Sequence, residues 1–134
     1  MRYQRTEIPV KLVGVAAARE FFSGCFAEQD PSRECLWVAH LDQDSHCLHL
    51  SHHGGDAASV DFALREIVID SALYGSSALL LAHNHPGGDA GPSESDLRST
   101  RRLATIAEAL DCVLLDHFVF AGSDCTSSRR LGYL

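Results

Sequence analysis

The chain has 134 residues, of which 46% are apolar, and its formal net charge is −7 at pH 7 with histidines neutral. This length fits one compact domain rather than two, and the apolar fraction is enough to build a hydrophobic core. No run of eighteen apolar residues occurs, which argues against a membrane-spanning helix, and the acidic balance argues against nucleic acid as a main partner.

The cysteines and the first residues bear on the cellular compartment. The number of cysteines is five, which is odd, and none of them form a Cys-x-x-Cys pair. This pattern is typical of reduced, mostly buried thiols. Residues 1–5 lack the apolar segment of a secretory signal. We therefore expect a cytoplasmic protein that does not enter a membrane.

Hydrophobic periodicity and turn residues predict seven elements along the chain. In order, they are a helix from Val10 to Phe26, strands from Cys35 to Leu41 and from His46 to His52, a helix from Phe62 to Leu73, a strand from Ala78 to Ala82, a helix that opens at Ser93, and a strand from Cys112 to Phe120. The weakly patterned tail from Ser123 to Leu134 has room for one more short strand. This order predicts an α/β domain with helices on both faces of a mixed sheet.

Two details of this pattern concern burial and domain organisation. Phe62, Ile69 and Leu73 share one face of the second predicted helix, so we expect that face to be buried. Residues 1–32, which comprise the first helix and a linker, are expected to belong to the same compact unit as residues 33–134.

The strongest functional signal directly follows the predicted strand from Ala78 to Ala82. His83, His85 and Asp96 form the pattern His-x-His-x10-Asp. Alternate residues of extended backbone point to the same side, so both imidazoles face one direction. Two neutral histidines and a carboxylate are ligands of catalytic zinc sites that keep one position open for water. The pattern predicts a divalent metal ion, with zinc expected and iron or nickel compatible with the same ligand types.

Metal-assisted hydrolysis also needs a general base close to the attacking water. Glu34 stands just before the first predicted strand, and Glu66 lies on the face of the second predicted helix that is expected to be buried. Spacing alone does not distinguish these two glutamates. Asp96 also has a structural interpretation, because Ser93 and Asp96 resemble a helix-capping pair.

These residues resemble a known motif. His83-Asn84-His85-Pro86, followed after six residues by Ser93 and after two more by Asp96, is similar to the JAMM motif of the Jab/MPN metalloprotease family. Further segments resemble the RadC-like branch of that family; they include Arg65-Glu66, Gly88-Asp89, Pro92-Ser93, Thr100-Arg101-Arg102-Leu103 and Leu115-Asp116-His117. The resemblance covers about residues 33 to 134 and implies a mixed sheet between helices, similar to the cytidine-deaminase-like zinc proteins.

The resemblance implies a zinc-dependent metallohydrolase, a metallopeptidase or isopeptidase acting on a peptide or protein substrate. His83, His85 and Asp96 would hold one zinc ion per chain, and Ser93 would stabilise the oxyanion. The family's glutamate base precedes an early apolar strand; Glu34 matches that place, with Glu66 as the alternative.

Two other functions stay open. One is the DNA-repair role traditionally ascribed to the RadC branch; the other is that of a non-catalytic MPN interaction scaffold. Residues 1–32 do not match the helix-hairpin-helix segment that often precedes RadC domains, which weighs against the DNA-repair role.

Asp116 and His117 interrupt an otherwise apolar strand. Buried polar groups need partners, so each is predicted either to orient a ligand histidine or to satisfy a hydrogen bond within the core. Two further clusters are predicted to face solvent. The first is a set of histidines on an edge strand, namely His46, His49, His52 and His53; the second is a helix face with Arg98, Arg101 and Arg102.

Overall fold

The computed structural model describes residues 2–3 and 10–134. Within these residues it contains six strands, which are β1 (Arg2–Tyr3), β2 (Cys35–Leu41), β3 (Cys47–Gly54), β4 (Ala78–Asn84), β5 (Val113–Ala121) and β6 (Asp124–Ser127). The α-helices of the same residues are α1 (Gly14–Ala27), α2 (Val60–Leu73) and α3 (Glu94–Ala109), and a short 3-10 helix spans Gly55–Ala57. The short strand expected in the C-terminal tail is β6.

The six strands form one mixed sheet in the order β1-β3-β2-β4-β5-β6. Strands β4 and β5 are parallel, whereas the other neighbouring strands are antiparallel. A parallel pair needs a crossover connection, and α3 supplies it between β4 and β5. The predicted α/β class with a mixed sheet is confirmed.

Helices cover both faces of this sheet, and each face has its own hydrophobic core. On one face, α2 and α3 contribute Val60, Ala63, Ile67, Leu103 and Ala107, which pack on Leu36, Val38, Leu79, Leu81 and Leu114. On the other face, α1 contributes Ala18 and Phe22, which pack on Ala39, Leu41, Leu80, Ala82 and Phe118. Strand β4 is buried on both faces, as its continuous apolar run predicts.

The first helix begins later than predicted, at Gly14 rather than at Val10. The backbone before it is extended and bonds to the β2–β3 turn. The N–H of Cys47 donates to the carbonyl of Val10 at 2.8 Å, and the N–H of Leu12 donates to that of Ser45 at the same distance. These tertiary hydrogen bonds compete with a first helical turn and prevail.

The predicted burial of Phe62, Ile69 and Leu73 is wrong, because these side chains are 74%, 54% and 69% exposed. Helix α2 instead turns Val60, Ala63, Ile67, Asp70 and Ser71 towards the sheet. Two of these residues are polar, and both find partners. The hydroxyl of Ser71 donates to the carbonyl of Ile67 at 2.7 Å, and a carboxylate oxygen of Asp70 lies 3.4 Å from Nε2 of His49.

The prediction that the histidines of an edge strand face solvent is wrong for His49 and His53, whereas His46 and His52 are partly exposed. Strand β3 lies between β1 and β2, and it carries His49 and His53, which are 2% and 7% exposed. Their rings lie beneath α2, where a carboxylate oxygen of Glu66 is 3.5 Å from Nδ1 of His53. The α2 carboxylates make this inward orientation of the imidazoles possible.

No helix within residues 2–3 and 10–134 is both long and apolar enough to cross a membrane. The cysteines, all of which lie in the described part of the chain, form no disulfide.

Candidate metal centre

The two motif histidines meet at the end of β4. The strand extends two residues beyond its predicted end, so His83 lies within it and is buried. His85 follows, held by its N–H, which donates to the carbonyl of Phe120 on β5 at 2.8 Å. The Nε2 atoms of His83 and His85 are 2.8 Å apart. The alternation of extended backbone therefore brings the two imidazoles together, as the spacing predicts.

Helix α3 supplies the carboxylate. Ser93 is its N-cap and Asp96 lies in its first turn, and the two form a capping box. The N–H of Ser93 donates to Oδ2 of Asp96 at 2.9 Å, and the N–H of Asp96 donates to Oγ of Ser93 at 3.0 Å. The same Oδ2 lies 3.4 Å from Nε2 of His83 and 3.3 Å from Nε2 of His85. Asp96 thus caps the helix and faces both histidines.

The surroundings of Asp96 favour its ionised carboxylate form. Burial acts to raise its pKa, but the hydrogen bond and charge of His83 and the bonds to Ser93 outweigh it and hold the pKa well below the ordinary value. An ionised Asp96 is the form that binds a cation.

Hydrogen bonds on the far side of each imidazole set its orientation. Nδ1 of His85 lies 2.7 Å from the carbonyl oxygen of Asp89. Because a carbonyl only accepts hydrogen bonds, Nδ1 carries the hydrogen, and the lone pair of Nε2 is free to bind a metal. Nδ1 of His83 lies 2.6 Å from Nε2 of His117, and Nδ1 of His117 lies 2.7 Å from Oγ1 of Thr100. The pKa of His117 lies well below its ordinary value, mainly because the ring is buried and also because of the charge of His83. This imidazole therefore stays neutral.

The structure separates the roles of Asp116 and His117. The pairing of β4 with β5 shifts by one residue between Leu114 and Asp116, so His117 shares the sheet face of His83 and Asp116 faces the opposite way. Asp116 accepts the N–H of His117 at 2.8 Å and that of Arg129 at 3.0 Å, together with the hydroxyl of Ser127. It secures the C-terminal tail and does not bond to a motif histidine.

The two candidate bases lie in different places. Glu34 is exposed in the connection that leads into β2, and one carboxylate oxygen of Glu34 and one ring nitrogen each of His83 and His85 all lie within 4.8 Å of one another. Glu66 lies on α2 beside His53, on the face of the helix that meets β3. The tertiary structure thus brings Glu34, and not Glu66, to the motif histidines.

Two residues near the centre, Thr100 and Asn84, were given no role by the sequence analysis. Thr100 is four residues after Asp96, so helical periodicity places it on the same side of α3 and could have identified it. Asn84 stands between the two histidines, where strand alternation points it away from them. Its hydrogen bonds cross to the connection before β2.

A cavity of about 390 Å³ lies beside His85. His85 and Asn84 form one side of it, and its apolar wall includes Phe26, Phe120 and Pro86. A substrate group could therefore lie beside His85.

The three arginines Arg98, Arg101 and Arg102 are exposed on α3, as predicted for a solvated helix face.

The fold and this centre define a class of α/β domain in which the end of a buried strand and the start of a helix carry a His-His-Asp cluster. The chain belongs to the RadC-like JAB domain family, which it matches over residues 14–133. The resemblance to the RadC-like branch of the Jab/MPN family is confirmed.

The chain is also similar to curated proteins of the UPF0758 group. The chain is 38% identical over 109 residues to UPF0758 proteins of Aliivibrio fischeri strain MJ11 and Vibrio vulnificus strain YJ016, and 37% identical to one of Vibrio parahaemolyticus serotype O3:K6. Each match covers 79% of this chain and 48% of the relative. The chain therefore spans about half the length of the curated relatives it matches, and their names state no activity.

Proposed function

We propose that this chain is a zinc-dependent metallohydrolase of the JAMM type that cleaves amide bonds in peptide or protein substrates. The observation that carries the proposal is the convergence of Nε2 of His83, Nε2 of His85 and Oδ2 of Asp96 within 2.8–3.4 Å of one another. Membership of a JAB family supports it, because that family includes metalloproteases.

The donor set fits a zinc ion. His83, His85 and Asp96 offer two imidazole nitrogens and one carboxylate oxygen, a ligand set that zinc accepts in catalytic sites. The hydrogen bonds at each Nδ1 direct the Nε2 lone pairs towards a common point. When bound, zinc supplies a Lewis acid and lowers the pKa of a coordinated water to roughly 7.

The other side chains have the chemistry that amide hydrolysis requires. Glu34 accepts a proton from the attacking water and passes it to the leaving amine nitrogen. The same carboxylate therefore acts first as base and then as acid, and it ends in its starting protonation state. Oγ of Ser93 already accepts the N–H of Asp96, so its own O–H is available to donate to the oxygen that gains charge. The cavity beside His85 has room for a substrate side chain.

The metal assignment is tested first. We expect purified protein to contain one zinc ion per chain by elemental mass spectrometry, and His85→Ala to lose it. Asp42→Ala is the matched control, because Asp42 lies in a separate His- and Asp-containing group with Asp44 and His46, within a hairpin turn. Protein that takes up no divalent cation, or that retains it in His85→Ala, would contradict the proposal.

The hydrolysis assignment is tested with a proteome-derived peptide library read by mass spectrometry, supplemented with lysine-linked isopeptides. We expect zinc-loaded protein to cleave a subset, Glu34→Gln to bind zinc but not cleave, and Glu28→Gln, an exposed residue of the same connection, to behave as wild type. Zinc-loaded protein that cleaves nothing would favour the interaction scaffold. Cleavage that survives in Glu34→Gln would reject Glu34 as the base.

The proposal also includes the cellular compartment and the partners of the protein. We place the protein in the cytoplasm because thiols that form no disulfide suit a reducing compartment. We expect no nucleic acid as main partner, because the net charge is −7.

A further inference from the structure

Asn84 bridges two backbone segments that are distant in sequence. It is buried, and it is the only asparagine in the chain. Its Oδ1 accepts the N–H of Cys35 at 2.7 Å, and its Nδ2 donates to the carbonyl of Arg33 at 2.9 Å. These two hydrogen bonds, called here the Asn84 bridge, flank the single residue Glu34.

The Asn84 bridge continues the sheet where the strand pairing ends. The last paired residues of β2 and β4 are Leu36 and His83, and beyond them the side-chain amide of Asn84 bonds to the β2 chain. On the other side, the N–H of Gly55 donates to the carbonyl of Glu34 at 3.1 Å. The backbone around Glu34 is thus held on one side by Asn84, at the end of β4, and on the other by Gly55, the residue that follows β3.

We propose that Asn84 is a positioning residue that sets the Glu34 carboxylate at its working distance from His83 and His85. This inference rests on the proposed function, in which Glu34 is the general base. Glu34 itself is exposed and lies outside any strand, so its carboxylate needs a fixed backbone to stay near the histidines. A displacement of about 1 Å at a reacting group can lower a rate about 100-fold.

The chemistry of the bridge requires an amide. One planar group must accept from an N–H and donate to a carbonyl, which asparagine does and which aspartate and alanine do not. Asn84→Asp replaces the donor with a carboxylate oxygen that faces the carbonyl of Arg33, whereas Asn84→Ala removes both bonds. Ser32→Ala is the matched control, because Ser32 bonds to Asp30 in the same connection without touching the bridge.

The first test does not depend on activity. Hydrogen exchange of the Cys35 amide is expected to accelerate at least tenfold in zinc-loaded Asn84→Ala and not in Ser32→Ala. Crystal structures of zinc-loaded protein should show the Glu34 carboxylate displaced by about 1 Å or more in Asn84→Ala, with the histidines unmoved. Unchanged exchange, or a Glu34 carboxylate that stays in place, would overturn the inference whatever the protein hydrolyses.

The second test uses a library peptide that wild-type protein cleaves. We expect Asn84→Ala and Asn84→Asp to keep one zinc ion per chain and to lower kcat about 10- to 100-fold with KM unchanged. Ser32→Ala should leave both kcat and KM unchanged. An unchanged kcat in Asn84→Ala, or a change in KM alone, would contradict a positioning role. Wild-type protein that binds no zinc would instead reject the proposed function.

Discussion

Nε2 of His117 lies 2.6 Å from Nδ1 of His83, although 34 residues separate the two histidines. The orientation of His83, a candidate metal ligand on β4, therefore depends on a residue of β5. His117 is in turn held by Thr100 of α3. Three elements therefore share control of one imidazole. A neutral His117 can accept the N–H of His83, which leaves Nε2 of His83 directed at Asp96.

Replacing His117 by Leu should lower the zinc affinity about 10- to 100-fold, because Nδ1 of His83 loses its hydrogen-bond partner. Competition with a fluorescent zinc chelator measures this change. Asp116→Asn is the control, because Asp116 is adjacent in sequence but faces the other way. His117→Leu protein that binds zinc as tightly as wild type would show that this contact does not orient the ligand.

Replacing Asp116 by Ala should lower the free energy of unfolding by about 3 kcal/mol, because the N–H groups of His117 and Arg129 and the hydroxyl of Ser127 lose their acceptor. Urea denaturation followed by the fluorescence of Trp37, the only tryptophan, measures it. Asp124→Ala, an exposed substitution on β6, should change the free energy by less than about 0.5 kcal/mol. Equal effects for the two variants would argue against this account.

Replacing Ser93 by Ala should cost about 1 kcal/mol of stability, because the N–H of Asp96 loses its cap. Ser93→Thr should retain the stability, since threonine also caps. If Ser93 stabilises an oxyanion as proposed, Ser93→Ala should also lower kcat while zinc stays bound. Thermal denaturation and zinc analysis of the two variants test these points; a Ser93→Ala protein as stable as wild type would rule out the capping contribution.

The stability of the protein should fall as the pH rises from 9 to 11, in part because of Cys35. Burial raises the pKa of its thiol from 9.0 to about 11. In this window the unfolded chain releases the proton and the folded chain keeps it, so the contribution is present below pH 9 and is lost by about 11. Urea denaturation should show wild type losing more stability than Cys35→Ala over this range. A constant difference would contradict the raised pKa.

The two faces of α2 should respond differently to truncation. Ile67→Ala should lower the free energy of unfolding by about 3 kcal/mol, because Ile67 is fully buried against the sheet. Phe62→Ala should change it by less than about 0.5 kcal/mol, because its ring is exposed. Both variants are compared by urea denaturation. A large loss in Phe62→Ala would mean that this face is covered in solution.

Local sequence patterns predicted much of the molecule. The strands and helices follow from apolar periodicity and turn residues, and the capping box of Ser93 and Asp96 is readable because its partners are three residues apart. The pairing of His83 with His85 was predictable for the same reason, since alternation in extended backbone is a local property. The approach of Asp96 to these histidines agrees with the predicted ligand set; whether a metal is bound there stays a prediction.

Tertiary packing decided the rest. Spacing alone did not distinguish Glu34 from Glu66, and only the family resemblance favoured Glu34. The pairing of β2 with β4 is what brings Glu34 to the histidines. His117 faces His83, and Asp116 does not, because one extra residue in β5 reverses which face each occupies. No local pattern encodes that shift, because it depends on how two strands align.

The orientation of α2 is decided in the same way. Its apolar stripe suggested that Phe62 faces the core, but polar partners on the sheet turn Asp70 inwards. The sequence by itself determined which residues form each element and which neighbours share a side. Only the folded chain decided which faces are buried and which distant side chains meet, because these outcomes depend on contacts between segments far apart in sequence.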